Sequence, residues 1–314
     1  MAKNKVQFQK GISIHKFISM YGTEEQCQQR LFAMRWPNGY QCPQCSHDKY
    51  CQLKSRPLYQ CNRCHHQASL TAGTLFSASK LPLKIWFLAI YLLTQEKNGI
   101  SALELSRQLG TSYNAAWRIK HKLMQAMKEF DDKTPLDGYI QLDDVYWGGV
   151  KRGTRGRGAK GKRPFVAAVS MNEKGHPIKM RFSAVEGFKI KELTAWAKSH
   201  LRPKSLVISD GLPCFKGVEQ ADSFHHAIVT GGGASSVELP YFQWVNIMIS
   251  NVKNSMHGTY HAIGKKHLPR YLGEFCFKFN RRFNLETLLE QLVFASIQAA
   301  PMPQRLLKLA EARW

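Results

Sequence analysis

Between Leu81 and Phe130 the apolar residues recur at three- and four-residue steps, with Ile85, Leu88, Ala89 and Leu92 sharing one face, and this spacing predicts helix. A second helix is predicted from Ile100 to Gly110: Ser101 stands in a capping position, Glu104 follows three residues on, and the glycine ends it. Thr111 or Ser112 opens a third, Tyr113 to Met127, made basic by Trp117-flanking Arg118, Lys120, His121 and Lys122. Helix, tight turn and basic helix read as a helix-turn-helix, which lays its second helix against DNA. Two amphipathic helices around a glycine turn also occur in ordinary bundles. Upstream, Ile14, Phe17, Ile18, Leu31, Phe32 and Met34 predict one or two short helices over 13–36.

After the polar stretch Asp131 to Pro135 the period changes. Tyr139 to Val145, Phe165 to Ser170 and Ile178 to Val185 are strand-like, with Glu173-Lys174-Gly175 as the turn between the last two. Ile190 to His200 predicts a helix, and Leu206 to Ser209 is an apolar run of the kind covered on both faces of a sheet. Trp244 to Met256 is helical by pattern. Strand, strand, strand, helix, strand, helix is the order of an RNase H-like fold.

Charge narrows the partner. Lys and Arg number 45 against 22 Asp and Glu, a formal balance of +23, which points to a polyanion and first of all to nucleic acid. The longest apolar run, Ile85 to Leu93, is too short to span a bilayer, so no membrane partner is expected. The first residues, Met1-Ala2-Lys3-Asn4-Lys5, carry no apolar signal stretch, which places the chain in the cytoplasm. Thirteen positions from Lys151 to Arg163 hold seven basic residues (Lys151, Arg152, Arg155, Arg157, Lys160, Lys162, Arg163) and four glycines. Such a segment cannot pack. It is either a solvated surface or a loop that grips a phosphate backbone.

Five of the eight cysteines lie between Cys42 and Cys64. Cys42-Pro-Gln-Cys45 and Cys61-Asn-Arg-Cys64 flank a strand-like hairpin, and two such knuckles close a tetrahedral thiolate site for a structural Zn2+. Cys51, His47, His65 or His66 could replace one pair. The expected fold class is therefore multidomain α/β: N-terminal helices and zinc ribbon over 1–80, a helix-turn-helix region over 81–130, and an RNase H-like mixed-sheet domain over 131–314 with the basic Gly-rich loop 151–163.

Asp143 interrupts the strand Ile140-Gln141-Leu142-Asp143-Asp144-Val145, and Asp210 follows the apolar run Leu206-Val207-Ile208-Ser209. Aspartate is a poor strand former, and open α/β sheets place ligands at the carboxyl ends of their strands. Two aspartates meeting there would repel unless divalent cations lay between them. Mg2+ suits oxygen donors, and two such ions can promote an in-line displacement at phosphorus. The same residues also fit a strand cap and a turn.

The ribbon, the helix-turn-helix, Leu142-Asp143-Asp144-Val145-Tyr146-Trp147-Gly148-Gly149, the segment Gly156 to Lys162 and the late Lys253 with Gly258-Thr259-Tyr260-His261 together resemble bacterial insertion-sequence transposases of the zinc-ribbon DDE group. The resemblance runs over most of the chain. It implies Mg2+-dependent DNA strand cleavage and transfer by two metal ions, recognition of terminal inverted repeats and of target DNA, a homodimer or larger assembly on DNA, and association with the nucleoid. It maps the first acid to Asp143, with Asp144 as the alternative, and the second to Asp210. The third position, where relatives carry Glu, falls on Asn246, an Asp-Asp-Asn variant with Glu238 in reserve. Lys253 and His261 then lie near phosphate. A catalytically inactive, transposase-derived DNA-binding protein and a nuclease of branched DNA are the competing readings.

Overall fold

The structure is a computed structural model and describes residues 9–53, 56–148, 162–229, 239–261 and 263–310. The chain forms two compact units, Met1–Met127 with Phe283–Trp314, and Lys128–Arg282.

In the first unit, α1 (Ile14–Tyr21) starts at Ser13, whose hydroxyl accepts from the Lys16 N–H. A reciprocal Thr23–Gln26 capping box starts α2 (Glu24–Arg35). A three-stranded antiparallel ribbon follows, β1 (Tyr50–Gln52), β2 (Leu58–Cys61) and β3 (Gln67–Ser69). Phe32, Trp36, Tyr40 and Tyr50, with ring centroids 4.7 to 5.9 Å apart, join the end of α2 to it. Next comes α3 (Leu83–Gln95), whose N-cap position is Pro82, a residue with no side-chain acceptor. The Glu24 carboxylate of α2 does that work instead, accepting from the N–H groups of Leu83 at 2.8 Å and Lys84 at 2.9 Å.

Of the apolar face read from the sequence, Ala89 is buried. Ile85, Leu88 and Leu92 are half-buried, while Leu83, Trp86, Phe87, Ile90, Tyr91 and Leu93 are buried over more than half the circumference. A helix apolar on nearly every side needs cover from more than one direction. Here α2 packs on it, and so does the helix Leu288–Gln298, with Leu288, Leu289, Leu292 and Val293 buried and the Ser296 carbonyl accepting from Leu75 N–H. The expectation of a catalytic domain running to residue 314 therefore differs from the structure, in which residues from Phe283 onward belong to the first unit. Then α4 (Ala102–Leu109) is capped by Ser101 and ended by Gly110 in the left-handed region at φ +62°, and α5 (Tyr113–Asp132) follows.

The second unit is built on a five-stranded mixed sheet. Its strands are β4 (Tyr139–Trp147), β5 (Arg163–Met171), β6 (Pro177–Ala184), β7 (Leu206–Ser209) and β8 (Phe224–Ala227), in the spatial order β6-β5-β4-β7-β8. Antiparallel pairs β4–β5 and β5–β6 adjoin parallel pairs β4–β7 and β7–β8, which is the RNase H-like arrangement. On one face, Val145 and Trp147 pack with α7 (Gln243–Tyr260) and α8 (Leu268–Asn280). On the other, Ile140 and Leu142 pack with α6 (Ile190–His200) and the 3-10 helix Pro213–Ala221. The sequence reading has no counterpart for β8: Phe-His-His-Ala shows neither alternation nor a β-branched residue, and its strand exists by pairing with β7.

Ion pairs tie the end of α5 to this sheet. The Arg181 guanidinium, 5% exposed, donates to Asp132 at 2.6 Å and to the carbonyls of Asp131 and Thr134. Asp131 in turn receives Asn280 at 2.9 Å and Arg281 at 2.7 Å. Close by, α8 approaches α5 at Gly273, where an added Cβ would lie 2.8 Å from Lys128 Cβ. A Gly273→Val variant is expected to lose about 1–3 kcal/mol of stability through overpacking, read as a lower denaturant midpoint at unchanged slope.

Candidate active site and metal centres

The two knuckles bring Cys42, Cys45, Cys61 and Cys64 together, every sulfur within 4.8 Å of the others. Cys42 lies 3.6 Å from Cys64, and Cys45 3.6 Å from Cys61. A tetrahedron with Zn–S bonds of 2.3 Å has edges of about 3.8 Å, so the cluster fits Zn2+ with little adjustment. Burial pushes the Cys42 thiol up, and the N–H groups of Cys45 and Gln44 outweigh it and bring it down to about 6; at Cys64 the His66 N–H acts downward, but burial and then the neighbouring sulfurs outweigh it and push the thiol up to about 12. Four thiolates at this spacing cannot all ionise without a cation among them. Cys51 is exposed, and it, His47, His65 and His66 all lie outside the cluster.

The second cluster arises from strand register. Tyr139, Ile140 and Gln141 of β4 pair with Leu206, Val207 and Ile208 of β7, so continuing two residues sets Asp210 beside Asp143. Oxygens of Asp143, Asp144 and Asp210 lie within 4.8 Å of one another. Burial, then the charges of Asp144 and Asp210, push the Asp143 carboxyl up to about 7, while the Asp144 N–H at 2.8 Å and the Lys253 ammonium act against it. Burial likewise lowers Lys253, which Asp143 opposes and Lys162 reinforces. An all-oxygen set of carboxylates that raise one another's pKa fits a hard divalent cation, which would restore the charged form.

Three supports of this cluster escaped sequence reasoning. Gln141 is 1% exposed; its Oε1 accepts from Val245 N–H at 2.9 Å and its Nε2 donates to the Pro240 carbonyl at 3.1 Å. The N-cap of α7 is Phe242, which makes no side-chain cap, so an amide from β4 caps the helix. Second, Ser209 Oγ meets His225 Nε2 at 2.8 Å and accepts from Gly211 N–H, fixing the turn at Asp210, whose Oδ1 accepts from Leu212 N–H at 3.0 Å. Third, His257 stacks on Trp147 at 4.6 Å, which holds α7 to the end of β4. None of these has a local signal; each joins residues far apart in the chain.

Asn246 sits half-buried in the first turn of α7, and Lys253, two turns on, shares its face. His261 is exposed just past the end of that helix, at φ +50°. Arg163 opens β5 and pairs with Glu186 at 3.0 Å. Lys151, Arg152, Arg155, Arg157, Lys160 and Glu238 lie outside the described residues.

In the helix pair, Arg118 is exposed and Trp117 stacks on His121 at 4.1 Å. Lys120 and Lys122 differ from expectation. Lys120 is 1% exposed and donates to the Ile100 carbonyl at 2.7 Å, and Lys122 reaches the Leu75 carbonyl at 3.4 Å over the Trp86 ring. Both face inward because their helix positions fall on the packed side, where only the charge pattern was visible in sequence. The outward residues at the start of α5 are Tyr113, 52% exposed, and Asn114.

A zinc ribbon followed by this strand order, with carboxylates in the middle of β4 and just past the end of β7, places the chain among proteins with DDE-type, RNase H-like domains. Residues 135–280 match the family model of the ISXO2-like transposase domain, and residues 22–67 match the transposase zinc-ribbon domain. The chain belongs to the insertion-sequence transposases that carry these two domains. It is 28% identical over 243 residues, 70% of this chain and 78% of the other, to the uncharacterized protein in transposable element ISH50 of Halobacterium salinarum. Among solved structures, the Mos1 transposase paired-end complex with left transposon end matches at 12% identity and a TM-score of 0.21, over 68% of this chain and 79% of that one. A pre-cleavage Mos1 transpososome matches at 11% and 0.21, over 67% and 78%. No helix among the described residues is long and apolar enough to cross a membrane.

Purified protein is expected to carry one zinc per chain by elemental analysis, and Cys64→Ser to lose it together with the fold of the ribbon. Replacing Gln141 by Leu strands the buried Val245 N–H and removes the bond to the Pro240 carbonyl, and is expected to cost about 1–3 kcal/mol in urea denaturation.

Proposed function

We propose that the chain binds the terminal inverted repeats of its own mobile element and cleaves and transfers DNA strands at the carboxylate centre, as a homodimer or larger assembly on double-stranded DNA. The observation that carries this reading is the convergence of Asp143, Asp144 and Asp210 where β4 runs on past the carboxyl end of its parallel neighbour β7. Mg2+, two ions, would supply there the activation of an attacking oxygen and the stabilisation of a leaving one in an in-line displacement at phosphorus.

The residues divide the remaining tasks. Asp143 and Asp210 offer oxygens from neighbouring strands, and Asn246 offers an amide oxygen from α7. Lys253, within electrostatic reach of Asp143 and Lys162, sets positive charge where a scissile phosphate would lie. His261 and the basic residues of 151–163 extend that charge along a DNA backbone, with Lys162 and Arg163 at its described end. In the first unit, Tyr113, Asn114 and Arg118 face outward at the start of α5, the part of a recognition helix that meets base edges. Trp117, stacked on His121, braces that surface. The DNA-reading region comprises the ribbon over 1–80 and the helices over 81–130; the chemistry belongs to the unit that begins at Lys128. A protein of net charge +23 with this specificity would sit on the nucleoid.

A second reading, a DNA-binding protein that has lost catalysis, draws support from the neutral Asn246. One assay separates them. With Mg2+ and duplexes bearing the sequences that flank the coding region, the full chain is expected to nick and join strands, and Asp143→Ala or Asp210→Ala to lower that rate at least about a hundredfold with DNA binding retained. Specific binding by the wild-type chain without any metal-dependent cleavage would establish the second reading; undiminished cleavage by both variants would refute the first.

A further inference from the structure

The Asp-Asp-Asn arrangement has a charge deficit. Two divalent cations bring four positive charges, and Asp143 with Asp210 returns two; an asparagine at the third position adds none. A half-buried centre so underfilled would hold its metals weakly. The structure offers a third carboxylate close by.

Strand alternation alone would send Asp144 away from Asp143, toward the opposite face of the sheet. What brings its oxygen back is the short length of β7. That strand last pairs with β4 at Gln141↔Ile208 and ends at Ser209, whereas β4 runs on to Trp147. From Leu142 onward, no strand among the described residues pairs with β4 on its β7 side to separate the two faces. Side chains from both faces can lean into that gap, and Asp144 does: one of its oxygens lies within 4.8 Å of an oxygen of Asp143 and of one of Asp210. Donors on a single Mg2+ stand at most about 4.2 Å apart, twice the 2.1 Å bond, and donors shared between two ions 3.5–4 Å apart spread wider. The spacing fits a set bridging two ions.

We propose that Asp144 is the third carboxylate ligand of this centre, supplying the charge that Asn246 does not. The inference rests on the metal-dependent reading above, and the test keeps the two apart. Mn2+ titrated into the full-length zinc-loaded protein on flanking-sequence DNA, followed by the loss of the free-ion EPR signal, reports binding without any need for turnover. Asp144→Asn, isosteric and uncharged, is expected to weaken Mn2+ binding about tenfold or more, and Asn246→Glu in that background to restore it. Zinc content and thermal midpoint are measured on each variant to establish that the fold is intact. Should Asp144→Asn bind Mn2+ as wild type does while Asp143→Asn and Asp210→Asn do not, Asp144 is no ligand and the metal-dependent reading survives. Should all three bind as wild type, or the wild type take up none, both fall. Weakened binding that Asn246→Glu does not restore, with the fold intact, would overturn the compensation between the two positions.

Discussion

The geometry of the carboxylate centre depends on one buried amide. Gln141 belongs to the strand that carries Asp143, and it holds the start of the helix that carries Asn246 and Lys253 by bonding to Val245 N–H and the Pro240 carbonyl. An α-helix leaves its first N–H groups without internal partners, and with Phe242 at the cap these would be buried without acceptors. The capping requirement of α7 is thus met by the strand it must face. Helix register and strand register become one constraint, and neither can slip by a residue without uncoupling both bonds. At the far end, the His257–Trp147 stack repeats the attachment, so the helix is held to the same strand at both ends.

Around this frame the electrostatics run against the chain's overall sign. The protein is strongly basic, yet its most desolvated charges near the strand ends are carboxylates, and Asp143 is raised to about 7 by burial and by its like-charged neighbours. Lys253 offsets part of that field and is itself weakened as a cation by burial. A divalent cation beside such acids would favour their charged form.

Much of this was legible in the chain because the relevant signals are local. Cys-x-x-Cys pairs announce their geometry within four residues, Asp143 and Asp210 stand out against apolar runs, and Ser101 with Gly110 bounds a helix by chemistry alone. What could not be read is what depends on partners distant in sequence. Gln141 and Val245 are 104 residues apart, and an interior glutamine looks like any polar strand residue until its helix is in place. The buried side of α3 could not be picked out, because a helix apolar on most sides gives periodicity nothing to choose between. Lys120 looked like a DNA contact by charge, and is a core donor to Ile100 by position. β8 has no strand signal of its own; pairing with β7 creates it.

The first unit is discontinuous, since α3 is covered in part by Leu288–Gln298, a helix made some 150 residues after α5 ends. During synthesis the hydrophobic side of α3 waits for that late cover, so the N-terminal half cannot finish its core as it leaves the ribosome. A shortened product of the same gene, ending before Phe283, would emerge with a greasy stripe bare and would be drawn toward aggregation or proteolysis. The ordering favours intact chains over fragments that would otherwise compete for the same DNA.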